Sequence, residues 1–488
     1  MKVLFFHYSD YLEAGIPGGV AILSALLKAD GHETRLFDTT FFKPVHYRRS
    51  LKAGPEIFKQ TAYTLEDLVE NDPVIDLKEE FYRELKEFQP DLLAVSAMTT
   101  NIDETLDILR QVRPKCLVVI GGVHATLNPE EILREKVVDM VCVGEGEGAL
   151  VDLSNTLEQN KNPRGIANLW LKENGSIIKN PLRRFEDLDN LPVPDWSIFD
   201  ERHLFRPFEG EIYKGSFITT SRGCPGGCTY CVNKVLRRIC RGCGRYFRHQ
   251  SPQKTIQDIE TIKEQYGATW FKFADDTFLL HPVEELNALK EGLKKLSIYF
   301  GCSVQPLTIS KEKVSLAREM GCVAMTVGIE SGNEEIRRKI LNRKISNQKL
   351  ERGIRTIIDA GIRVSTFNMI GLPGETRENV FQTIRFNKKL EIKAANVYIV
   401  YPFPGTEIAS TCGTNYRDAK GKMIPMSEAA RFNLSQMSQD ELEGLRKTFN
   451  LYLILPERYW PQIRKAEGRD DQSQQLFREL EELAASYV

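Results

Sequence analysis

Three cysteines constrain this chain more than any other feature. Cys224, Cys228 and Cys231 stand in the run Ser-Arg-Gly-Cys-Pro-Gly-Gly-Cys-Thr-Tyr-Cys, a C-x3-C-x2-C spacing. Residues 216–221 just before it are β-branched, hydroxylated and aromatic, which predicts a short buried strand. Glycine and proline then punctuate a loop. A short turning loop can bring three sulfurs to one side, where they take three corners of a four-iron cubane. Such cubanes usually take four protein thiolates, so a three-cysteine loop leaves one iron for a ligand that is not protein. Zinc is the competing reading, but it prefers four closed ligands, and no matching second pair stands at standard spacing from this loop.

Size and charge narrow the remaining classes. The 488 residues predict two or three domains. A formal net charge of −1 gives no electrostatic case for nucleic acid or an anionic membrane. No apolar run approaches the ~20 residues of a membrane helix. Residues 1–7 read as a buried strand rather than a signal peptide. The ten cysteines are therefore expected as thiols or metal ligands in a reducing cytoplasm.

Over residues 1–150, apolar strands (3–6, 33–37, 92–96, 117–120 and 140–143) alternate with amphipathic helices (20–28, 103–112 and 129–136). This alternation predicts a doubly wound parallel sheet of the Rossmann or flavodoxin kind. Ligands of such sheets bind at the carboxyl ends of the strands. The loops there contain Ser96 and Ala97-Met98-Thr99-Thr100, Gly121-Gly122-Val123-His124, and Gly144-Glu145-Gly146-Glu147-Gly148. No G-x-G-x-x-G follows the first strand, which disfavours a dinucleotide; nucleotide, flavin and corrinoid stay open. Residues 41–89 read as a helical insertion. Residues 151–210 read as connecting chain, with a hairpin turning at Asn174-Gly175 and a proline-rich strap over 188–196.

From 211 to 412 six further strand–helix units predict a parallel barrel, whose chemistry sits at the carboxyl ends of its strands. Those ends carry Asp275-Asp276, then Gln305, then Gly328-Ile329-Glu330-Ser331-Gly332, then Gly371-Leu372-Pro373-Gly374-Glu375-Thr376. A second pair, Cys240 and Cys243, lies among Arg237, Arg238, Arg241, Arg245 and Arg248. It reads as half a zinc site with His249, as a cavity lining, or as an inert loop, with the arginines suggesting an anionic group nearby. Residues 413–488 read as a charged helical region.

The cysteine loop, with Tyr230 before its last cysteine, and the strand-end series behind it resemble the radical S-adenosylmethionine superfamily. Gly121-Gly122-Val123-His124, followed by Asp139-Met140-Val141-Cys142-Val143-Gly144-Glu145-Gly146-Glu147, is similar to the cobalamin-binding domain found ahead of many such cores. The resemblance implies an N-terminal cobalamin-binding domain, a partial (β/α)6 barrel open on one side, and a helical C-terminal region. It implies a 4Fe-4S cluster on Cys224, Cys228 and Cys231 whose open iron binds S-adenosylmethionine and releases a 5'-deoxyadenosyl radical. Tyr230, Asp275, Asp276, Gln305, Glu330, Ser331 and Gly371 are then expected around S-adenosylmethionine. Ser96, Met98, Thr99, Gly121, Gly122, His124, Gly144 and Glu145 are expected around cobalamin.

The D-x-H-x-x-G motif with which methionine-synthase-type cobalamin domains supply a histidine to cobalt is incomplete here. Asp30-Gly31-His32 is followed by Arg35 where glycine should stand, so cobalamin is expected without a protein histidine on cobalt, with His7 a minor candidate for contact. The expected activity is methyl transfer to an unactivated carbon or phosphinate phosphorus of a small molecule, with an external flavodoxin- or ferredoxin-type reductant. Cyclisation, ring contraction or oxidation is the alternative within the class, and an iron–sulfur and corrinoid redox sensor the alternative outside it.

Overall fold

A computed structural model describes residues 1–10, 17–43, 74–208, 211–393, 395–413, 416–419 and 421–487. The first strand, β1 (Lys2–His7), is apolar on both faces, as a strand covered by helices on both sides must be. Val3 and Phe5 enter one core, Leu4 and Phe6 the other. After it come α1 (Gly18–Ala29), β2 (Glu33–Asp38), α2 (Leu77–Phe88), β3 (Leu92–Ser96), α3 (Ile102–Val112) and β4 (Leu117–Gly121). The short helices α4 (Val123–Leu127) and α5 (Pro129–Leu133), then β5 (Met140–Cys142) and α6 (Glu147–Glu158), complete the set. The strands lie in the order β2-β1-β3-β4-β5, all parallel, which is the flavodoxin-like doubly wound sheet. Of the expected insertion at 41–89, α2 is a helix capped by the Asp76 carboxylate; residues 44–73 lie outside the described residues.

The hairpin corrects one expected boundary. Its strands β6 (Leu169–Glu173) and β7 (Ser176–Lys179) turn through Asn174 and Gly175, whose φ angles are 50° and 77°. β6 pairs antiparallel with β5, so the hairpin extends the first sheet instead of connecting domains. The unpaired edge of β5 is thereby covered. The proline-rich strap that follows is fastened to α1: Asp195 accepts from Ser24 at 2.6 Å and pairs with Lys28 at 2.7 Å.

The second sheet begins with β8 (Phe205–Phe208) and β9 (Glu211–Ile218). A small ribbon, β10 (Ser221–Arg222) with β11 (Arg248–His249), brackets α7 (Val232–Ile239). Then come α8 (Pro252–Tyr266), β12 (Trp270–Phe273), α9 (Val283–Leu296), β13 (Tyr299–Val304), α10 (Lys311–Glu319), β14 (Cys322–Glu330), α11 (Glu334–Lys339), α12 (Asn347–Asp359), β15 (Arg363–Ile370), α13 (Arg377–Lys389) and β16 (Ala395–Ile399). Six parallel strands run from β9 to β16, with β8 antiparallel on the outer side of β9. Among the described residues β16 and β8 do not pair, so the barrel is partial and open.

The C-terminal helices α14 (Glu407–Cys412), α15 (Gln439–Ile454), α16 (Trp460–Ala466) and α17 (Asp471–Ala485) follow. Asn450 on α15 both accepts from the Ala395 amide and donates to its carbonyl, supplying at the edge strand β16 the bonds a further strand would make. Residues of the turn at 416–424 reach back to the first domain, where Arg417 pairs with Asp103 and Glu131, and Lys422 with Asp107. One continuous core joins the two sheets, from Val3 and Phe5 through Trp196 to Ile218 and Phe271. No helix among the described residues is long and apolar enough to cross a membrane.

Candidate functional site

The three cysteines leave β10 and end where α7 begins, and the loop between is tied down from several sides. Thr229 donates to the Ile340 carbonyl at 2.6 Å, Asn342 to the Gly227 carbonyl at 2.9 Å, and Arg237 to the Pro225 carbonyl at 2.7 Å. Gly226 is the position that keeps the sulfurs facing one space. A β-carbon there would lie 3.2 Å from Cys224 Sγ and 4.0 Å from Cys228 Sγ, with Gln305 Nε2 only 3.9 Å away. All three thiols are half-buried, and burial pushes those of Cys224 and Cys231 up. Three soft sulfur donors on one short loop, two of them facing Gly226, fit an iron–sulfur cluster.

Asn233, in the first turn of α7, was not singled out from sequence, though it stands two residues after Cys231. Its Nδ2 lies 3.7 Å from Cys231 Sγ and donates to Asp276 at 2.8 Å, while its Oδ1 accepts from Tyr246 at 2.7 Å. Asp276 thus stands beside Asn233, near Cys231, and burial raises its carboxyl above the usual range, with Asp275 adding to the rise. Asp275 does not share that role. It is 3% exposed and accepts from the Thr220 and Ser221 amides at 2.7 and 2.9 Å and from the Thr220 hydroxyl at 2.5 Å. It clamps the strand that leads into the cysteine loop.

Glu330 lies at the end of β14 within reach of the same loop. Tyr230 donates to it at 3.1 Å, and Arg343 at 2.7 Å. Arg343, on the turn after α11, carried no sequence signal. Ser331 next to it is wholly buried, and its hydroxyl accepts from the Asn333 amide at 3.2 Å. With no surface for a ligand, it is corrected from a cofactor contact to a turn residue. Gly371 donates its amide to Glu375 at 2.7 Å, and a β-carbon there would press on Ile399 and Leu442 at 3.3 Å. Its glycine is explained by α15 packing against this strand end.

A second space, a cavity of about 510 Å³, opens between the carboxyl edge of the first sheet and β9 of the second. Ser96, Met98, Gly121, Gly122, Gly144 and Glu145 line it. Gly122, at φ 105°, lies so close to the β3 loop that a β-carbon would be 2.6 Å from the Ala97 carbonyl oxygen. Phe5, Val20, Leu23 and Trp196 make much of the wall apolar, and residues of the strap close one side. The cavity suits a large ligand with an apolar body and a few polar groups.

Histidines divide differently from the expectation. Thr99 and His124 do not line this cavity; they bond to each other at 3.1 Å, both buried, and His124 borders a separate cavity against α3, α5 and Arg417. The cause is α4, which starts at Val123 and carries the His124 side chain to the other side of the loop. His7 does face the large cavity, its Nδ1 buried without a partner, and burial pushes its pKa down. His32 lies at the opposite end of the sheet, 3.2 Å from the amino group of Met1. It therefore stands apart from the cavity.

Glu145 and Glu147, which would repel phosphate, are ion-pair partners of the β10–β11 ribbon. Arg222 meets Glu147 at 2.7 Å and Glu145 at 3.3 Å, and Arg248 also pairs with Glu145. Arg248 of the arginine-rich loop is thus neutralised by protein carboxylate rather than left for an anion. Cys240 and Cys243 are buried beside Gly144, and burial pushes the Cys240 thiol up to about 11. His249 is turned away to Glu285 at 3.0 Å.

Comparison with known proteins agrees with this geometry. Residues 13–154 match the B12 binding domain model, and residues 218–386 the Radical SAM superfamily model. An uncharacterized methyltransferase of Pyrococcus horikoshii is 29% identical over 66% of this chain and 70% of its own. The anaerobic magnesium-protoporphyrin IX monomethyl ester cyclase of Rubrivivax gelatinosus is 24% identical over 85% of this chain and 70% of its own. Among solved structures, the radical S-adenosylmethionine methyltransferase TsrM of Kitasatospora setae, with cobalamin and a [4Fe-4S] cluster bound, superposes with a TM-score of 0.64 at 16% identity over 99% of both chains. With the three thiols on one side of an open barrel and the glycine-lined cavity beside it, this chain belongs to the radical S-adenosylmethionine enzymes that carry a B12-binding domain.

Proposed function

We propose that this protein is a cobalamin-dependent radical S-adenosylmethionine methyltransferase acting on a small molecule at an unactivated carbon or a phosphinate phosphorus. The observation that carries the reading is the placement of the cavity against β9, the strand just before the cysteine loop, with Arg222 of the β10–β11 ribbon lining it and pairing with Glu145 and Glu147. When bound, the cluster with S-adenosylmethionine supplies a carbon radical able to take hydrogen from substrate, and cobalamin supplies a methyl donor.

The chain's own residues hold and orient these groups. Cys224, Cys228 and Cys231 would ligate the cluster, and Gly226 keeps the space between them clear. Asp276, held by Asn233, presents a carboxyl beside that space and suits an ammonium group. Gln305 offers an amide at the same mouth. Ser96, Met98, Gly121, Gly122 and Gly144 would take cobalamin, with apolar Phe5, Val20 and Leu23 excluding water from its face. His7 is the one buried imidazole on that wall, and its lowered pKa keeps it uncharged at neutral pH.

We further infer that the protein works in a reducing cytoplasm with a flavodoxin- or ferredoxin-type donor. The nine cysteines whose side chains are described are unpaired, which fits that compartment. The likeness to a cyclase favours a second reading in which the radical is used for ring closure without methyl transfer.

Anaerobic reconstitution with iron, sulfide and cobalamin, followed by S-adenosylmethionine and a low-potential reductant, separates these readings. Methyl transfer gives S-adenosylhomocysteine alongside 5'-deoxyadenosine once a substrate is present. 5'-Deoxyadenosine with retained cobalamin but no S-adenosylhomocysteine supports the cyclase-like reading. Absence of 5'-deoxyadenosine removes both.

A further inference from the structure

Away from the cysteine loop, three side chains converge without a role in the chemistry above. His249 on β11, His281 just before α9 and Glu285 in the first turn of α9 point at one another. His249 Nδ1 lies 3.0 Å, and His281 Nδ1 3.4 Å, from the same oxygen, Glu285 Oε2. All three ligand atoms fall within 4.8 Å of one another. Zinc–ligand bonds of ~2.0–2.1 Å in a tetrahedron place neighbouring ligand atoms ~3.3 Å apart. Two of the three edges are already near that length.

The far side of His281 decides where its proton sits. Its Nε2 is 3.0 Å from Thr220 Oγ1, and Thr220 Oγ1 is 2.5 Å from Asp275 Oδ2. Asp275 already accepts two backbone amides, so the Thr220 hydroxyl donates to it and has no proton left for His281. His281 Nε2 must therefore be the donor to Thr220. In a neutral ring this leaves a lone pair on Nδ1 facing a carboxylate oxygen, an arrangement that needs a cation between them or a second proton on the ring. His249 aims its own Nδ1 at that same oxygen, so a cation held there would meet all three groups at once. A histidine whose outer N–H is held by a relay ending in carboxylate is the usual support behind a metal ligand.

We propose that His249, His281 and Glu285 form a zinc-class divalent metal site distinct from the cysteine loop, with water completing the tetrahedron. Two imidazole nitrogens and one carboxylate suit zinc, whereas calcium and magnesium take mostly oxygen. The partial exposure of His249 and Glu285, at 20% and 26% of their side chains, leaves room for the water. The metal would pin β11 and α9 against Thr220 and Ser221, the residues that lead into Cys224. It acts as a clasp at the base of the cysteine loop.

Metal analysis of the purified, cluster-loaded full-length protein, incubated with zinc chloride and gel-filtered, tests this. The expected result is about one zinc per chain, falling at least fivefold in His249→Ala and in the shape-preserving Glu285→Gln, with iron content unchanged. X-ray absorption at the zinc edge should show nitrogen and oxygen neighbours at ~2.0 Å and no sulfur shell at ~2.3 Å. Equal zinc in the wild-type protein and Glu285→Gln would overturn the proposal. So would sulfur neighbours, which would place the zinc on cysteines such as Cys240 and Cys243.

Discussion

The Tyr230 hydroxyl donates to Glu330 Oε1 at 3.1 Å, joining the cysteine loop to the end of β14 across 100 residues of sequence. The same carboxylate oxygen takes Arg343 at 2.7 Å, and this small cluster is buried. Removing one partner has unequal consequences. Tyr230→Phe loses a single neutral donor and should cost ~0.5–1.5 kcal/mol in denaturant unfolding. Glu330→Gln leaves the Arg343 guanidinium buried without a counter-charge and should cost ~3–5 kcal/mol. Equal losses in the two variants would show that the charge pair contributes nothing beyond the hydrogen bond.

Glu330 reaches this position through a backbone irregularity. The pairing of β14 with β15 slips between Gly328 and Glu330, and Glu330 itself has a φ of 66°. Such a bulge re-aims one side chain at a site. It also leaves no room at residue 328, where a β-carbon would stand 2.6 Å from Glu330 Oε1 and 3.1 Å from Arg343 Nη1. Gly328→Ala should therefore disturb the cluster at ~1–3 kcal/mol. It should lower 5'-deoxyadenosine formation about tenfold at unchanged iron content, as measured in single-turnover assays.

These two residues also mark how far the sequence could be read. The cysteine spacing, the doubly wound parallel sheet by alternation and the glycine loops were legible because each depends on neighbours in the chain. The slip in β14 was not, because it arises from packing between strands. Asp275 and Asp276 looked alike in sequence; which of the two turned inward to clamp Thr220 depends on where β9 lies. Likewise Glu145 and Glu147 gain their meaning only from Arg222 and Arg248, which the chain supplies from the β10–β11 ribbon. His124 was misplaced because the start of α4 rotates it off the loop that carries Gly121 and Gly122.

Arg222 sets the next expectation. It lines the cavity while pairing with Glu147, whose side chain is 8% exposed, and with Glu145. Arg222→Gln leaves Glu147 without that charge and loosens the junction of the two sheets at the cavity wall. Cobalamin retained through gel filtration should fall several-fold while cluster iron stays constant. Loss of iron together with cobalamin would mean that the substitution disrupts the cysteine loop instead.

Glu375 gives a dependence on pH. Its carboxyl is wholly buried behind the Gly371 and Leu372 amides, with one oxygen, Oε1, lacking any partner. Burial raises its pKa from the ordinary 4.5 to about 8, against the two amide bonds, which act the other way. The folded chain therefore keeps this proton over a range in which the unfolded chain has released it. Stability drawn from Glu375 is full below the unfolded pKa, falls as pH rises through that window, and levels off above the folded pKa, with a slope of at most ~1.4 kcal/mol per pH unit. Glu375→Gln has the shape of the protonated acid and no proton to lose. Unfolding free energies measured at intervals between these two pKa values should diverge, the variant gaining on the wild-type protein by an amount on the order of 1 kcal/mol per pH unit. Parallel curves would mean that Glu375 is ionised in the folded protein and that its charge is compensated by a neighbouring group.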